Sequence, residues 1–307
     1  VFDLAKELNI PISKKPISTV LSGPAAGVGT LNYLSSNTGL KNFISMEIGG
    51  TSCDVILMSN ANATSTDHLI IDGYYLGLPS VDVHTVGAGG GTIAGVDKAG
   101  MLFVGPKGAG AKPGPACYNL GGNFPTITDA QLVLGRLAPG SYADGTIQMD
   151  LDLARSSIKK FIADKLGLSV EEASIGIIRL MNQKLLNAVQ QISVQRGYDP
   201  SLFTLVAGGG AGPLHGVEVS KLLGCSQVYV TRLSGAFCAM GMLNSDVKHE
   251  YFKVHFSSLE KTDFNEINSL FNKLQSDGKK ILQEEGFELN DMRFRFGYDL
   301  RYRGQQW

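Results

Sequence analysis

The spacing of apolar and polar positions changes along the chain, and it predicts strands in some segments and helices in others. Short, almost continuous apolar runs are typical of buried strands, and they occur at residues 43–48, 53–58, 203–207 and 228–231. Between Ser169 and Gly197 apolar residues recur at near-helical intervals, and Ser169 and Glu172 have the spacing of a capping box. Because strands alternate with helices, we expect an α/β sheet with helices on its faces.

Weaker patterns complete this outline. We expect helices after Ser22-Gly23-Pro24, at 129–137 and at 217–223, and short strands at 68–71 and 101–104. The stretch 105–125 is dense in glycine and proline, which predicts an ordered loop. After residue 260 the pattern predicts a helix and then a final strand, with alternate positions taken by Phe294, Phe296, Tyr298 and Leu300.

Composition and charge exclude several classes of protein. The 307 residues contain 27 Lys and Arg against 28 Asp and Glu, so a net charge of -1 gives no general attraction to nucleic acid or to an anionic membrane. No apolar run is long enough for a membrane helix, and no signal peptide is evident. The four cysteines lack C-x-x-C spacing. We therefore expect a cytoplasmic globular protein without a nucleic-acid or membrane partner.

Glycine is unusually frequent, at 38 of 307 residues, and it is clustered. One cluster is Gly49-Gly50-Thr51-Ser52, which lies between two predicted strands and has Glu47 and Asp54 on its two sides. Open backbone N–H groups and hydroxyls suit a phosphate, and a nearby carboxylate suits Mg²⁺. An ordinary glycine hairpin explains the same residues equally well, so the residues alone leave both interpretations open.

A second cluster runs from Gly208 to Gly212 and is followed by Pro213. It joins a predicted strand to a predicted helix, and such a junction lets a flat or anionic ligand approach the backbone at the carboxyl edge of a sheet. The dinucleotide pattern G-x-G-x-x-G fails because Pro213 replaces its last glycine. Residues 105–112 also lack the Gly-Lys-Ser/Thr end of a P-loop. A different nucleotide-binding fold is therefore needed.

Eight motifs make the chain resemble the hydantoinase A / 5-oxoprolinase family, which includes subunits of ATP-dependent ketone carboxylases. They follow one another as SGPAAG at 22–27, GGTSCDV at 49–55, GAGGGTIA at 87–94, PGPACY at 113–118, TITDA at 126–130, RGYDP at 196–200, GGAGPLH at 209–215 and DLRYRGQ at 299–305. The resemblance covers nearly the whole chain from about Pro16. It implies an α/β, actin-like or sugar-kinase-like (ribonuclease H-like) two-lobe ATPase with ATP in the cleft between its lobes.

The resemblance also implies a domain organisation. Residues 1–260 would form the hydantoinase A-type ATPase module, with a helical insertion at about 150–198, and residues 261–307 would start a truncated C-terminal helix–strand domain. The family carries another acidic-Gly-Gly-Thr loop near its N-terminus, and none occurs before Ser22. We therefore expect the N-terminal lobe to be missing and the isolated fragment to be inactive.

Site residues follow from the same resemblance. Gly49, Gly50, Thr51 and Ser52 would bind phosphate, and Gly208, Gly209, Gly210, Ala211 and Gly212 would pack on adenosine. Glu47 would hold Mg²⁺, and the catalytic carboxylates would be Glu47, Asp54 and Asp129. The enzyme would use ATP to phosphorylate a lactam or enolate oxygen of a cyclic amide or ketone, driving ring opening or carboxylation. A companion hydantoinase B-type subunit or domain, and an oligomer, are expected.

Several residues depart from the family pattern. Glu47 replaces the usual Asp before the Gly-Gly-Thr loop, Gly208 a Phe, Gly95 a Trp and Gln190 an Arg. The substrate therefore does not follow from the resemblance.

Alternatives remain open for individual residues and for the function. Asp129 is equally explained as part of a helix start capped by Thr128. His215 could contact phosphate or act as an acid, or it could cap a helix start, and Cys117 could be a nucleophile or an inert thiol. A small-molecule kinase of the same superfamily would release a phosphorylated product. An actin-like interaction module would instead bind a partner only with ATP.

Overall fold

The computed structural model describes residues 19–66, 69–71, 73–77 and 80–305, which belong to two compact units. The larger unit ends at Ser245 and the smaller one begins at Asp246, ahead of the boundary at residue 260 predicted from the sequence. The reason is that the segment after Ser245 packs within the smaller unit. There His249 Nε2 lies 2.8 Å from Glu285 Oε2, and a Cβ built on Gly278 would lie 3.3 Å from the Tyr251 ring.

A mixed six-stranded sheet forms the centre of the larger unit. Its strands are β1 (Phe43–Ile48), β2 (Cys53–Ser59), β3 (Asn62–Ala63), β8 (Val83–Val86), β13 (Thr204–Gly208) and β14 (Gln227–Val230). The order is β14-β13-β1-β2, with β3 and β8 both paired to β2. Strands β1, β13 and β14 are parallel, whereas β2 runs antiparallel to β1, β3 and β8.

Helices cover both faces of this sheet. They are α2 (Gly27–Thr38) and α8 (Phe237–Leu243) on one face, and α3 (Ile127–Val133), α6 (Val170–Ile192) and α7 (Gly212–Leu223) on the other. The side chains of β1 point alternately to the two faces of the sheet. Phe43 packs toward α2 and α8, while Ile44, Met46 and Ile48 pack toward α6. Both faces of β1 are therefore buried, which explains its nearly continuous apolar run.

The topology confirms the α/β fold expected from the sequence. Antiparallel strands β1, β2 and β8 come first, and two parallel strands, β13 and β14, then add on the other side of β1 after helical connections. This strand order, with β2 antiparallel to its neighbours, is the ribonuclease H-like arrangement. Parallel strands joined by helices place their carboxyl ends at one edge of the sheet.

The remaining elements surround this core. They are the strands β4 (Ser65–Thr66), β5 (Leu69–Ile71), β6 (Tyr74–Leu76), β7 (Ser80–Val81), β9 (Thr92–Val96), β10 (Leu102–Gly108), β11 (Gly140–Tyr142) and β12 (Ile147–Met149), and the helices α1 (Ser22–Ala25), α4 (Leu151–Ile158) and α5 (Asp164–Leu166). A π-helical stretch, Lys159–Ala163, joins α4 to α5. The segment 150–198 is mostly helical, and its helix α6 packs in the core of the larger unit.

Most predicted elements form with small shifts of their ends. The capping box of Ser169 and Glu172 is present at the start of α6. Helix α3 spans Ile127–Val133, earlier than predicted, because Thr126 caps it rather than Thr128. The predicted strand at 68–71 is confirmed from Leu69, and His68 lies outside the described residues.

The smaller unit is built on helix α9 (Phe264–Glu284). The final strand predicted around Phe294–Leu300 does not form, since the described part of this unit contains no neighbouring strand for it to pair with. Its alternating aromatic residues pack on the helix instead. The Phe296 and Tyr298 rings lie 4.9 and 5.2 Å from that of Phe271. No helix within the described ranges combines the length and apolar character needed to cross a membrane.

Candidate functional site

The turn between β1 and β2 is held from below by a second glycine-rich loop, residues 87–91. Gly90 N donates to Gly49 O at 3.0 Å, and Gly91 N donates to Gly50 O at 2.7 Å. The two loops touch so closely that a Cβ on Gly89 would lie 2.5 Å from Thr51 N. Only glycine permits this approach, and the paired carbonyls fix the orientation of the peptide planes in the turn.

This fixed turn presents a row of open donors. The backbone N–H groups of Gly50, Thr51 and Ser52 donate to no other atom of the described residues, and Gly50 and Thr51 are exposed. In a trans peptide the N–H points away from the C=O, so the Gly49 and Gly50 carbonyls bonded to the lower loop turn the N–H groups of Gly50 and Thr51 outward. Consecutive open N–H groups form an anion-binding nest. The geometry therefore suits a phosphate group.

The glycine cluster Gly208–Gly212 lies beside the β1–β2 turn. Glu47 pairs with Gly208 in the β1–β13 ladder, and Ala211 N donates to Ile48 O at 3.0 Å. Helix α7 begins at Gly212 without a side-chain cap. Pro213 has no N–H and Leu214 N donates to Ala211 O at 3.1 Å, so among the described residues Gly212 N is the open donor of the first turn. The structure thus brings together Gly49–Ser52 and Gly208–Gly212, which the sequence placed more than 150 residues apart.

The structure explains differently why Gly208, Gly209 and Gly210 are glycines. A Cβ on Gly208 would lie 2.9 Å from the Phe237 ring. Gly209 has a φ of +77°, and its Cβ would lie 2.3 Å from Ile48 O. Gly210 is exposed, with nothing within 4 Å of a built Cβ. Packing therefore explains the first two glycines, and only Gly210 leaves open space at its own position.

Two carboxylates stand behind the turn on one face of the sheet. Glu47 on β1 pairs with Asp54 on β2, and Asp54 in turn pairs with Thr85 on β8. Cys238 Sγ donates to Glu47 Oε2 at 2.6 Å, and Thr85 Oγ1 donates to Asp54 Oδ1 at 2.6 Å. The Cys238 backbone N–H also donates to the Glu47 carboxylate, whereas Asp54 Oδ2 accepts no hydrogen bond from the described residues. Asp54 is therefore held by one oxygen and keeps the other for a ligand, while Cys238 holds Glu47 through its thiol and its backbone N–H.

Burial and mutual repulsion make this pair receptive to a cation. Burial raises the pKa of the Glu47 carboxyl, the Cys238 hydrogen bond opposes this, and the neighbouring charge of Asp54 raises it further. Burial likewise raises the pKa of Asp54, opposed by Thr85. Within the described ranges no cluster of three or more His, Cys, Asp or Glu side chains could hold a metal. Two carboxylate oxygens fit Mg²⁺, which takes its other ligands from phosphate and water.

Asp129 lies in a different environment from these carboxylates. Its fully buried side chain accepts from Thr126 N and Oγ1, both at 2.8 Å, from Cys117 N at 2.7 Å and from Ala116 N at 3.3 Å. Both oxygens thus cap α3 and hold the 115–118 turn. The structure gives Asp129 a structural role through these hydrogen bonds, and its catalytic role stays a prediction.

Helix α3 nonetheless supports the site indirectly. Thr128 donates through both its backbone N and its Oγ1 to Gly90 O, each at 2.9 Å, and thereby fixes the loop beneath the β1–β2 turn. The TITDA motif therefore acts on the turn through the packing of two loops.

His215 is a core residue and does not cap α7. Its Nδ1 lies 2.6 Å from Asn182 Oδ1, and its Nε2 lies 3.2 Å from Gln131 Nε2, so the ring links α7 to α6 and α3. Burial, and then the charge of Arg136, lower the pKa of His215 to about 4. The neutral imidazole donates through Nδ1 and accepts at Nε2.

This buried imidazole predicts an acid sensitivity of the fold. The folded-state pKa lies below the unfolded one, so the unfolded chain binds the proton more readily and stability falls as the pH decreases from about 6.5 toward 4. We expect the free energy of unfolding to lose about 2 kcal/mol between pH 7 and pH 5 through His215. Urea titrations at both pH values should show a clearly smaller loss in His215→Gln. Equal losses in the two proteins would contradict this origin.

Cys117 is an inert thiol in this structure. Burial first, and then the negative charge of Asp129, raise the pKa of its thiol well above the usual range. Cys238 and Thr85 are the site residues that the sequence did not reveal. Neither belongs to a chemical motif, and each contacts its carboxylate only through tertiary packing or strand pairing.

Comparison with known proteins identifies a family that the chain resembles in sequence. Residues 10–251 match the family described as Hydantoinase/oxoprolinase. The chain is 34% identical over 299 residues to caprolactamase subunit alpha of Pseudomonas jessenii, covering 96% of this chain and 43% of that protein.

Two solved structures are also similar. The nucleotide-free structure of acetone carboxylase, from work on ATP-dependent acetone carboxylation, has a TM-score of 0.74 and 29% identity, covering 87% of this chain and 39% of that one. The crystal structure of ATP-dependent caprolactamase from Pseudomonas jessenii has a TM-score of 0.71 and 35% identity, covering 87% and 38%. The chain thus spans less than half the length of these relatives.

Proposed function

The chain belongs to the hydantoinase/oxoprolinase family, and we propose that it is the nucleotide-binding part of an ATP-dependent enzyme of that family. The observation that carries the proposal is the nest of N–H groups at Gly50, Thr51 and Ser52, beside the Gly208–Gly212 junction. The relatives named above are themselves described as ATP-dependent. ATP and Mg²⁺ are the cofactors that fit these donors and carboxylates.

In this proposal the reaction is phosphoryl transfer to an oxygen of a cyclic amide or of a ketone enolate. The N–H groups of the β1–β2 turn bind phosphate oxygens, and the exposed backbone at Gly210 faces the adenosine. Glu47 Oε1 and Asp54 Oδ2 would hold Mg²⁺, which neutralises phosphate charge when bound. Such catalysis depends on positioning and on fixed dipoles, so the residues need to be preorganised more than reactive.

The activated substrate needs a further step, ring opening or carboxylation. We assign that step to a companion hydantoinase B-type subunit or domain, since several relatives are named as subunits. A cytoplasmic location and an oligomeric assembly belong to the same proposal.

Substitution of Gly210 tests the nucleotide site without a packing defect. Because a side chain at Gly210 meets nothing within 4 Å, we expect Gly210→Asp to keep the wild-type free energy of unfolding. Its carboxylate should repel the phosphates and weaken Mg-ATP binding at least about tenfold, or roughly 1.4 kcal/mol. Calorimetric titration of the full-length protein with Mg-ATP measures this change.

The matched variant Gly210→Asn has nearly the same shape without the charge, and we expect a smaller loss of affinity from it. Unchanged dissociation constants in both folded variants would remove the Gly208–Gly212 junction from the site. Gly209→Ala is unsuitable for this test, because its strained φ and its contact with Ile48 would reduce stability directly.

A further inference from the structure

Cys238 connects three elements at the base of the site. It is the second residue of α8, and its Sγ lies 2.6 Å from Glu47 Oε2 on β1 and 3.9 Å from Pro24 O on α1. An ionised carboxylate only accepts hydrogen bonds, so the thiol is the donor. Among the described residues, Cys238 is the residue that donates to the Glu47 side chain, through its thiol and through its backbone N–H.

The helix that carries Cys238 is fixed in place by close backbone packing. Gly29 on α2 and Gly241 on α8 touch, since a Cβ on Gly29 would lie 2.0 Å from Gly241 O. Thr30 Oγ1 also donates to Phe237 O at 2.6 Å, and the Phe237 ring fills the space beside Gly208. These contacts leave α8 little freedom to shift, and the thiol therefore presents a fixed donor to a flexible glutamate.

We propose that Cys238 is a positioning residue, whose S–H···O bond to Oε2 holds the Glu47 carboxylate so that Oε1 faces the phosphate-type turn. The inference rests on the proposed nucleotide role of Glu47. Glutamate has one more rotatable bond than aspartate, and the thiol restricts that additional freedom. Thr85 holds Asp54 from the opposite side through one hydroxyl hydrogen bond.

Infrared spectroscopy tests the hydrogen bond itself, independently of any activity. The S–H stretching band of a thiol that donates to a carboxylate is shifted to lower frequency. We expect such a band in the wild-type protein, its loss in Cys238→Ser and its shift to higher frequency in Glu47→Gln. A spectrum that Glu47→Gln leaves unchanged would overturn the proposal.

Steady-state kinetics of the full-length protein test the positioning role. We expect Cys238→Ala to lower kcat for ATP hydrolysis about tenfold and to raise the Mg²⁺ concentration needed for half-maximal rate, with the KM for Mg-ATP changed less than about twofold. Cys238→Ser, which keeps a donor, should recover most of the rate. Equal rates in wild type and Cys238→Ala, or equal losses in the Ala and Ser variants, would overturn the proposal.

Cys225→Ser is the matched control. This half-buried thiol follows the far end of α7 and should be replaced without effect on rate. A full-length wild-type protein that neither binds nor hydrolyses Mg-ATP would refute the proposed function. The infrared spectra would then still decide whether Cys238 holds Glu47.

Discussion

Replacing Glu47 by glutamine should abolish most ATP hydrolysis while leaving the fold as stable as before. The substitution keeps the shape of the side chain but removes the charge that would hold Mg²⁺ with Asp54, and we expect kcat to fall about a hundredfold or more. Because burial and Asp54 both raise the pKa of Glu47, the folded state already disfavours its charge. The free energy of unfolding should therefore stay constant or increase.

Turnover at saturating Mg-ATP and urea unfolding, measured on the same full-length samples, check this expectation. Glu218→Gln is the control, since Glu218 is an exposed glutamate on α7 and its neutralisation should change neither quantity. If Glu47→Gln hydrolysed ATP at the wild-type rate, Glu47 would have no part in the chemistry.

The largest loss of stability is expected from Asp129→Ala. This change removes a buried acceptor from Thr126, Cys117 and Ala116 and leaves their N–H groups without a partner. Each unsatisfied buried donor costs about 1–3 kcal/mol. We expect a total loss of about 4 kcal/mol, a large part of the stability of a typical domain. Chemical denaturation followed by circular dichroism gives this value.

Asp150→Ala provides the comparison. Asp150 caps α4 near the surface through Asp152 N at 2.9 Å and Leu153 N at 3.0 Å, and losing such a cap costs about 1 kcal/mol. Asp129→Asn should lie between the two, because the amide keeps one acceptor oxygen. A loss in Asp129→Ala no greater than that in Asp150→Ala would contradict the structural role.

Local patterns in the sequence predicted the elements of the sheet well. The apolar run of β1 ends at Gly49, and the capping box of α6 is a short-range signal, so neither depends on the rest of the chain. The prediction of a final strand around Phe294 was wrong because strand formation depends on a partner elsewhere in the chain. Alternation shows that one face is buried, but it does not show whether another strand is available for pairing.

The candidate site was predictable only in part. Glycine clusters and flanking acidic residues indicated the two loops. The sequence does not distinguish Gly209 from Gly210, whereas the structure does, because only Gly209 has a positive φ and a close contact with Ile48. Asp129 follows a family motif, and its burial could not be deduced from its neighbours. Cys238 lies 191 residues from Glu47, and no pattern links the two.

The pairing of Glu47 with both Asp54 and Gly208 has a consequence for how the protein can vary. A slip of β1 by one residue would turn Glu47 into the apolar layer beneath α6 and bring Met46 to the site. The alternation of side chains along β1 therefore fixes both the apolar residues of the core and the carboxylate of the site. Sequence drift that preserves the alternation can remodel the surrounding loops, whereas an insertion or deletion within β1 would remove site and core together.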